Sequence, residues 1–232
     1  MKECLISYVN CNKNAEVHFH GSTTSTQLCG KNLGIAPNSK LWFYGIGQGG
    51  KNIANDTIYA LNDIYEQNKK GANIKIINIS GSRQRENPGF VELYEKLLSQ
   101  GCYIIDSITF GEDFTSINYN YFTKKYYYSD GQILGMGKDL LDSKIAIPTG
   151  GKMTPLVTTK DDYLYCGQAT YSWSIPILCG YFALALQISP DLTYDEFVQL
   201  AHKTKKIEDE ITLFNMNGII TELNKDYSKN IK

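Results

Sequence analysis

The sequence predicts an α/β protein in which helices pack against a parallel sheet, and two observations carry that prediction. Between residues 40 and 108, apolar segments of strand length alternate with helical stripes, in the order strand, helix, strand, helix, strand. Each helical stripe also ends on a glycine, the residue that best tolerates the conformation closing a helix.

The elements follow in order. Leu41–Tyr44, after Lys40, is a short apolar strand candidate that leads into the glycine-rich segment 45–50. Asn52 to Lys70 carries apolar residues at 54, 58, 61 and 65, a helical spacing closed by Gly71. The β-branched run from Asn73 to Ser80 reads as a strand. Pro88 opens a helix with the stripe Phe90, Leu93, Tyr94 and Leu97, closed by Gly101. Cys102–Ile108 is the third strand candidate.

Beyond Ile108 the alternation lapses into the tyrosine-rich stretch 119–130. Ile145–Ile147 then reads as a short strand stopped by Pro148. A helix is expected from about Ser174, and Thr193 with Glu196 forms a capping-box pattern before a stripe of Phe197, Leu200 and Ala201. No repeat of fixed period and no linker-like stretch appears, so residues 1–232 are expected to form a single domain.

Composition excludes several classes. The net charge is −1 with 42% apolar residues, so no basic footprint for nucleic acid or anionic membrane stands out. No segment approaches about 18 uninterrupted apolar residues, and the first residues lack a signal peptide's apolar stretch. A cytoplasmic location is expected. The six cysteines (4, 11, 29, 102, 166 and 179) have neither CxxC pairing nor histidines at zinc-like spacing. They are expected to be buried thiols, with no metal and no cofactor bound.

Two stretches carry candidate chemistry. Residues 45–50, GIGQGG, satisfy G-x-G-x-x-G between a strand and a helix, the setting of a dinucleotide site. Arg83, after the next strand, would then suit a 2′-phosphate. The plainer reading is a glycine-rich surface loop, and it is favoured, because four glycines in six residues match such a pattern easily.

The other stretch is Tyr171–Gln187, YSWSIPILCGYFALALQ, where two serines and Pro176 precede an apolar run. A serine at the mouth of a helix can cap its unpaired N–H groups, or can act as a nucleophile whose oxyanion those groups stabilise. Taken alone, the stretch favours capping, because serine N-caps are common.

Three further stretches change that balance. His20-Gly21-Ser22 is followed by GIAPNSKL at 34–41; IINIS ends the strand at 76–80; and Ser172 stands four residues before Pro176 and eight before Gly180. Together these resemble the subtilisin-like serine peptidases, the subtilases, from about His20 to Thr193. That family has H-G-T-H with G-[VI]-A-P-x-[AS]-x-[LI], a strand [VI]-I-N-[MI]-S-x-G, and a serine block G-T-S-x-A-x-P-x-x-x-G. The YSWSIP stretch also resembles the W-S-W-S-I-P block of some clostridial members.

The resemblance implies peptide-bond hydrolysis on a subtilisin-like parallel sheet with helices on both faces. It makes Ser172 the nucleophile and His20 the general base, with His18 a competing base and His202 a surface residue. It gives Ser80, Gly81 and Ser82 the substrate-pairing strand, and a polypeptide as substrate or ligand. Ser174 becomes a packing or capping residue.

Departures from the pattern accompany it. The family's aspartate precedes its histidine on an earlier strand, yet 19 residues precede His20 and none is aspartate. The chain is therefore expected to be shortened at its N-terminus and to lack the first, Asp-bearing strand. Tyr171 replaces the threonine before the serine. Where the oxyanion asparagine is expected, Gly111 is followed by Glu112, with Phe110 the other candidate position. A triad without its aspartate loses about 10⁴ in turnover, and a missing oxyanion donor about 10² to 10³ more.

Three readings follow: a subtilase of low activity, a non-catalytic peptide-binding relative, or a split site in which a partner chain supplies the missing strand. The first is preferred. An NADP-binding domain is a distant fourth.

Overall fold

The computed structural model describes residues 4–11, 19–47, 53–81, 87–150, 152–155 and 162–230. Alternating strands and helices open the described part of the chain: β1 (Leu5–Asn10), α1 (Phe19–Cys29), β2 (Leu41–Gly45), α2 (Ile53–Lys69), β3 (Ile76–Asn78), α3 (Pro88–Ser99) and β4 (Tyr103–Ile105). The middle holds α4 (Ser107–Asp113), β5 (Phe114–Asn120), β6 (Lys125–Tyr127), α5 (Asp130–Met136), α6 (Lys138–Asp142), β7 (Ile145–Pro148), β8 (Lys152–Pro155) and β9 (Tyr163–Cys166). The C-terminal part holds α7 (Tyr171–Ile188), α8 (Tyr194–Thr204), the short β10 (Lys206–Glu208) and β11 (Ile211–Leu213), and α9 (Met216–Asn230).

The strand pairs are mostly parallel. β1 pairs with β2, β3 with β4, and β5 with β7 and β7 with β11, all in parallel register. β10 and β6 add antiparallel edges to the sheet β10-β11-β7-β5-β6. Among the described residues, β2 and β3 have no strand on the edges turned away from β1 and β4.

Two large cores and a small cluster of Ile117, Ala146 and Leu213 hold the layers together among the described residues. The larger surrounds α7, whose Ile175, Leu178 and Phe182 meet Phe110, Phe114 and Phe197, all fully buried. The smaller lies between α2, α3 and the β3–β4 pair, through Leu61, Phe90, Leu97 and Ile104.

The strand, helix, strand, helix, strand expectation over 40–108 matches β2, α2, β3, α3 and β4. Asn87 caps α3 by accepting from the Gly89 N–H, with Pro88 in the first turn. The capping box at α8 is formed by Thr193 and Glu196. Several boundaries differ from expectation. β3 starts late because Asn73 has φ of 55° and the Asn68 side chain brackets both backbone groups of Ile74. β4 stops at Ile105 because Asp106 accepts from the N–H groups of Ile108 and Thr109 and so starts α4.

Helix α7 also corrects two expectations. It begins at Tyr171 rather than near Ser174, so Pro176 lies inside it. Its 18 residues are long and apolar enough to cross a membrane, with mean hydropathy 1.3 and half of them buried within the protein. The described cysteines Cys4, Cys29, Cys102 and Cys179 are buried thiols, and Cys11 is half-buried.

Candidate functional site

Helix α1 presents His20 in an unusual way. Thr23, Thr24, Ser25, Thr26 and Gln27 are all buried, so the middle of the helix is enclosed on every side. Such a helix can be buried because its hydroxyls donate to carbonyls one turn back: Thr23 to Phe19 (3.0 Å), Ser25 to Gly21 (2.8 Å) and Thr26 to Ser22 (2.8 Å). Gly21 follows His20 because a Cβ there would stand 2.9 Å from the Phe43 ring on β2. Gly180 plays the same part on α7, where a Cβ would stand 2.6 Å from the Ile35 side chain. The first lets α1 lie close on β2, and the second lets the end of α1 and the segment after it lie close on α7.

The consequence is that His20 and the serine stretch meet. The His20 imidazole packs on the indole of Trp173, the residue after Ser172, with ring centroids 5.0 Å apart and planes tilted by 36°. Ser172, in the first turn of α7, donates its hydroxyl to the Ser80 carbonyl at 3.4 Å. That bond is long for an O–H donor, so it holds the Ser172 proton weakly. The sequence-derived residues His20, Ser172 and Ser80 therefore gather where α1, β3 and α7 converge.

The capping question is settled by the residue before α7. Thr170 is the N-cap, and its side chain makes no capping bond. The Trp173 and Ser174 N–H groups both reach the Thr170 carbonyl. Ser172 caps nothing. Its own N–H lies in the first turn, at the positive end of an 18-residue helix, beside its own hydroxyl.

Ser174 is different. It is fully buried, and its hydroxyl hydrogen-bonds that of Thr149; the Thr170 carbonyl lies 3.2 Å from Ser174 as an acceptor, and the Ile147 carbonyl 2.9 Å from Thr149. Its work is to tie α7 to the end of β7.

The other sequence-derived positions fall as follows. Gly81 lies just past β3, where its carbonyl accepts from Ser107 and a Cβ would meet open space. Ser82, His18 and Arg83 lie outside the described residues, as do 48–50 of the glycine-rich segment. His202 is at the surface, 2.7 Å from Asp113. The positions considered for the oxyanion asparagine belong to helix α4. Phe110 is buried against Tyr171, with ring centroids 4.9 Å apart. Lys144 donates to the Gly111 and Glu112 carbonyls. Glu112 is exposed and lines a separate depression with Tyr94, Asp113 and Asp195.

Three contributors were not read from the sequence. Trp173 is one. Asn78, at the end of β3, accepts from the Ser80 hydroxyl at 3.1 Å and so steadies the strand end. Asn118, buried in β5, accepts from the Ala169 N–H at 2.7 Å and anchors the approach to α7. A polar residue inside an apolar run was the available signal for Asn118. Cys29, Cys102 and Cys179 are poor rivals as nucleophiles, because burial pushes the Cys29 and Cys102 thiols up to about 12 and raises that of Cys179 further. Among the described residues, no three of His, Cys, Asp and Glu gather closely enough to share a metal ion.

Comparisons with known proteins agree with this geometry at the level of the fold. Superposition on subtilase cytotoxin SubAB gives a TM-score of 0.69 at 14% identity, over 97% of this chain and 85% of that one. The A-subunit of the AB5 toxin from E. coli gives 0.67 at 14% identity, over 96% and 87%. A cold adapted subtilisin-like serine proteinase gives 0.62 at 13% identity, over 91% and 81%. The fold is subtilisin-like. No protein-family model matches the sequence, and no curated protein matches it. The subtilisin-like fold thus rests on three-dimensional likeness and is carried here by a sequence far from those of the three structures.

Proposed function

We propose that this protein is a subtilisin-like serine endopeptidase of low activity, with Ser172 as nucleophile and His20 as general base. The observation that carries the reading is the placement of Ser172. It stands in the first turn of a long helix whose N-cap side chain makes no bond, next to the residue that supports the His20 ring.

In this reading His20 takes the Ser172 proton as Oγ attacks the scissile carbonyl, and the proton then passes to the leaving amine. The Ser172 N–H supports the developing oxyanion. The strand end at Ser80 and Gly81 pairs with the extended backbone of the substrate. Departures from the family pattern around the acid and the oxyanion donor support slow turnover. A non-catalytic peptide-binding protein is the second reading, favoured by the same departures.

A fluorophosphonate probe separates the two. Labelling is expected for the parent and for Ser174→Ala, and is expected to vanish in Ser172→Ala and to fall sharply in His20→Ala. Labelling that survives Ser172→Ala would remove it as the nucleophile. No labelling of folded parent protein would favour the peptide-binding reading.

A further inference from the structure

We propose that a β-strand from a partner chain inserts between β2 and β3, running parallel to both. The starting observation is an interruption in the sheet. The two parallel pairs β1–β2 and β3–β4 flank a cleft of about 1120 Å³, lined along its length by both β2 and β3, covered by α1, α2 and α7, and reaching His20 and Ser80 of the candidate site.

The hydrogen-bond pattern shows which backbone groups face that cleft. Leu41 donates to Cys4 and Gly45 accepts from Cys11, so the alternate residues Leu41, Phe43 and Gly45 turn their backbone groups to β1. Trp42 and Tyr44 turn theirs the other way. On the opposite wall, Lys75 accepts from Tyr103 and Ile79 donates to Ile105, which leaves Ile76 and Asn78 facing inward. Among the described residues, two strand edges therefore confront each other with no strand between them, each offering a ladder to a single intervening strand.

Burial points the same way. The five residues of β2, LWFYG, read as a strand meant to be covered on both faces, as parallel strands usually are. None of the five is buried. β2 is about 17 Å long at the usual rise, so an extended segment of about six residues would match it.

Charge specifies the occupant further. Among the described residues no carboxylate lines the cleft, whereas Lys40 and Lys75 stand where β2 and β3 begin. Because β2, α2 and β3 form a strand–helix–strand crossover, both lysines lie at the same end. The inserted segment is therefore apolar and β-branched, with acidic residues at its N-terminal flank. A fully parallel arrangement also agrees with the direction of both neighbours. This inference concerns binding and stands whether or not Ser172 is a nucleophile.

The probe is a synthetic peptide with two glutamates followed by six alternating valine, isoleucine and alanine residues. Hydrogen exchange at the Trp42, Tyr44, Ile76 and Asn78 amides is expected to slow by about tenfold or more on binding. Exchange at Phe43 and Ile77 should change little. Trp42 emission, read in Trp173→Phe protein, is expected to shift with the same saturation. A peptide with the glutamates moved to its C-terminal end should bind at least about tenfold more weakly. Ala183→Trp, which fills the cleft from α7, should abolish binding, and Ala72→Trp at the rim serves if that variant unfolds. Ser172→Ala should bind the peptide as the parent does. The inference is overturned if no inner-edge amide gains protection, if those amides are already protected without peptide, or if a concentration-dependent dimer of this chain protects them instead.

Discussion

The two ends of the molecule use similar apolar side chains with opposite results. Around α7, Phe182 is fully buried and touches Tyr103, Tyr194 and Phe197 at centroid distances of 5.6, 5.6 and 5.0 Å. In β2, Phe43 stacks on Tyr8 at 5.7 Å, yet Tyr8 is 59% exposed and Phe43 only half-buried. The difference lies in cover rather than in sequence. The face of α7 that carries Phe182 is enclosed by other elements, whereas among the described residues β2 has a partner strand on one edge only.

The largest test of that contrast is a pair of truncations. Phe182→Ala is expected to destabilise the protein by about 3–5 kcal/mol, since it leaves a cavity in a closed core. Phe43→Ala should cost about 1 kcal/mol, half the transfer contribution of a buried phenylalanine. Urea denaturation would read both. Equal losses would mean that β2 is as well covered as α7 in solution. A Phe43→Ala loss that grows when the cleft peptide is bound would sharpen the contrast into a direct consequence of the empty edge.

The next test separates the two serines of α7. Ser174→Ala removes a buried hydroxyl from its bond with Thr149 and should cost about 1–2 kcal/mol. Ser172→Ala, losing only a long bond to Ser80, should stay within about 0.5 kcal/mol in the same denaturation experiment. The reverse order would undo the assignment of Ser174 as the structural residue.

The smallest effect belongs to the surface of the C-terminal region. Lys203 and Lys225 lie 2.6 and 2.7 Å from Glu222 and hold its carboxyl down to about 2. A carboxyl depressed in the folded protein stabilises it above the unfolded value of about 4.3. That contribution fades as the pH falls from about 4 toward 2. Glu222→Gln should flatten this part of the stability profile, and added salt should shrink the difference. An unchanged slope in low salt would show that the trio contributes nothing.

What was legible in the sequence was the part governed by local rules. Apolar spacing and glycine stops marked β2, α2, β3, α3 and β4, and Thr193 with Glu196 announced α8. His20, Ser172 and Ser80 came from motif spacing, and the fold brings all three together. Helix α1 escaped notice because its buried middle is threonine, serine and glutamine, which read as polar until their hydroxyls are seen bonding back to the helix. Strand β5 hid for a related reason: Thr115, Ser116 and Asn118 are buried among apolar neighbours and break the pattern.

The sequence by itself determined the α/β order, the helix caps and which serine and histidine to compare. Those follow from backbone propensity and side-chain period, which act over a few residues. Tertiary structure decided that Ser172 caps nothing, that Ser174 is locked against Thr149, and that β2 and β3 face each other across a cleft. Each of these depends on which elements pack together, through contacts between residues tens of positions apart, and no local pattern encodes that.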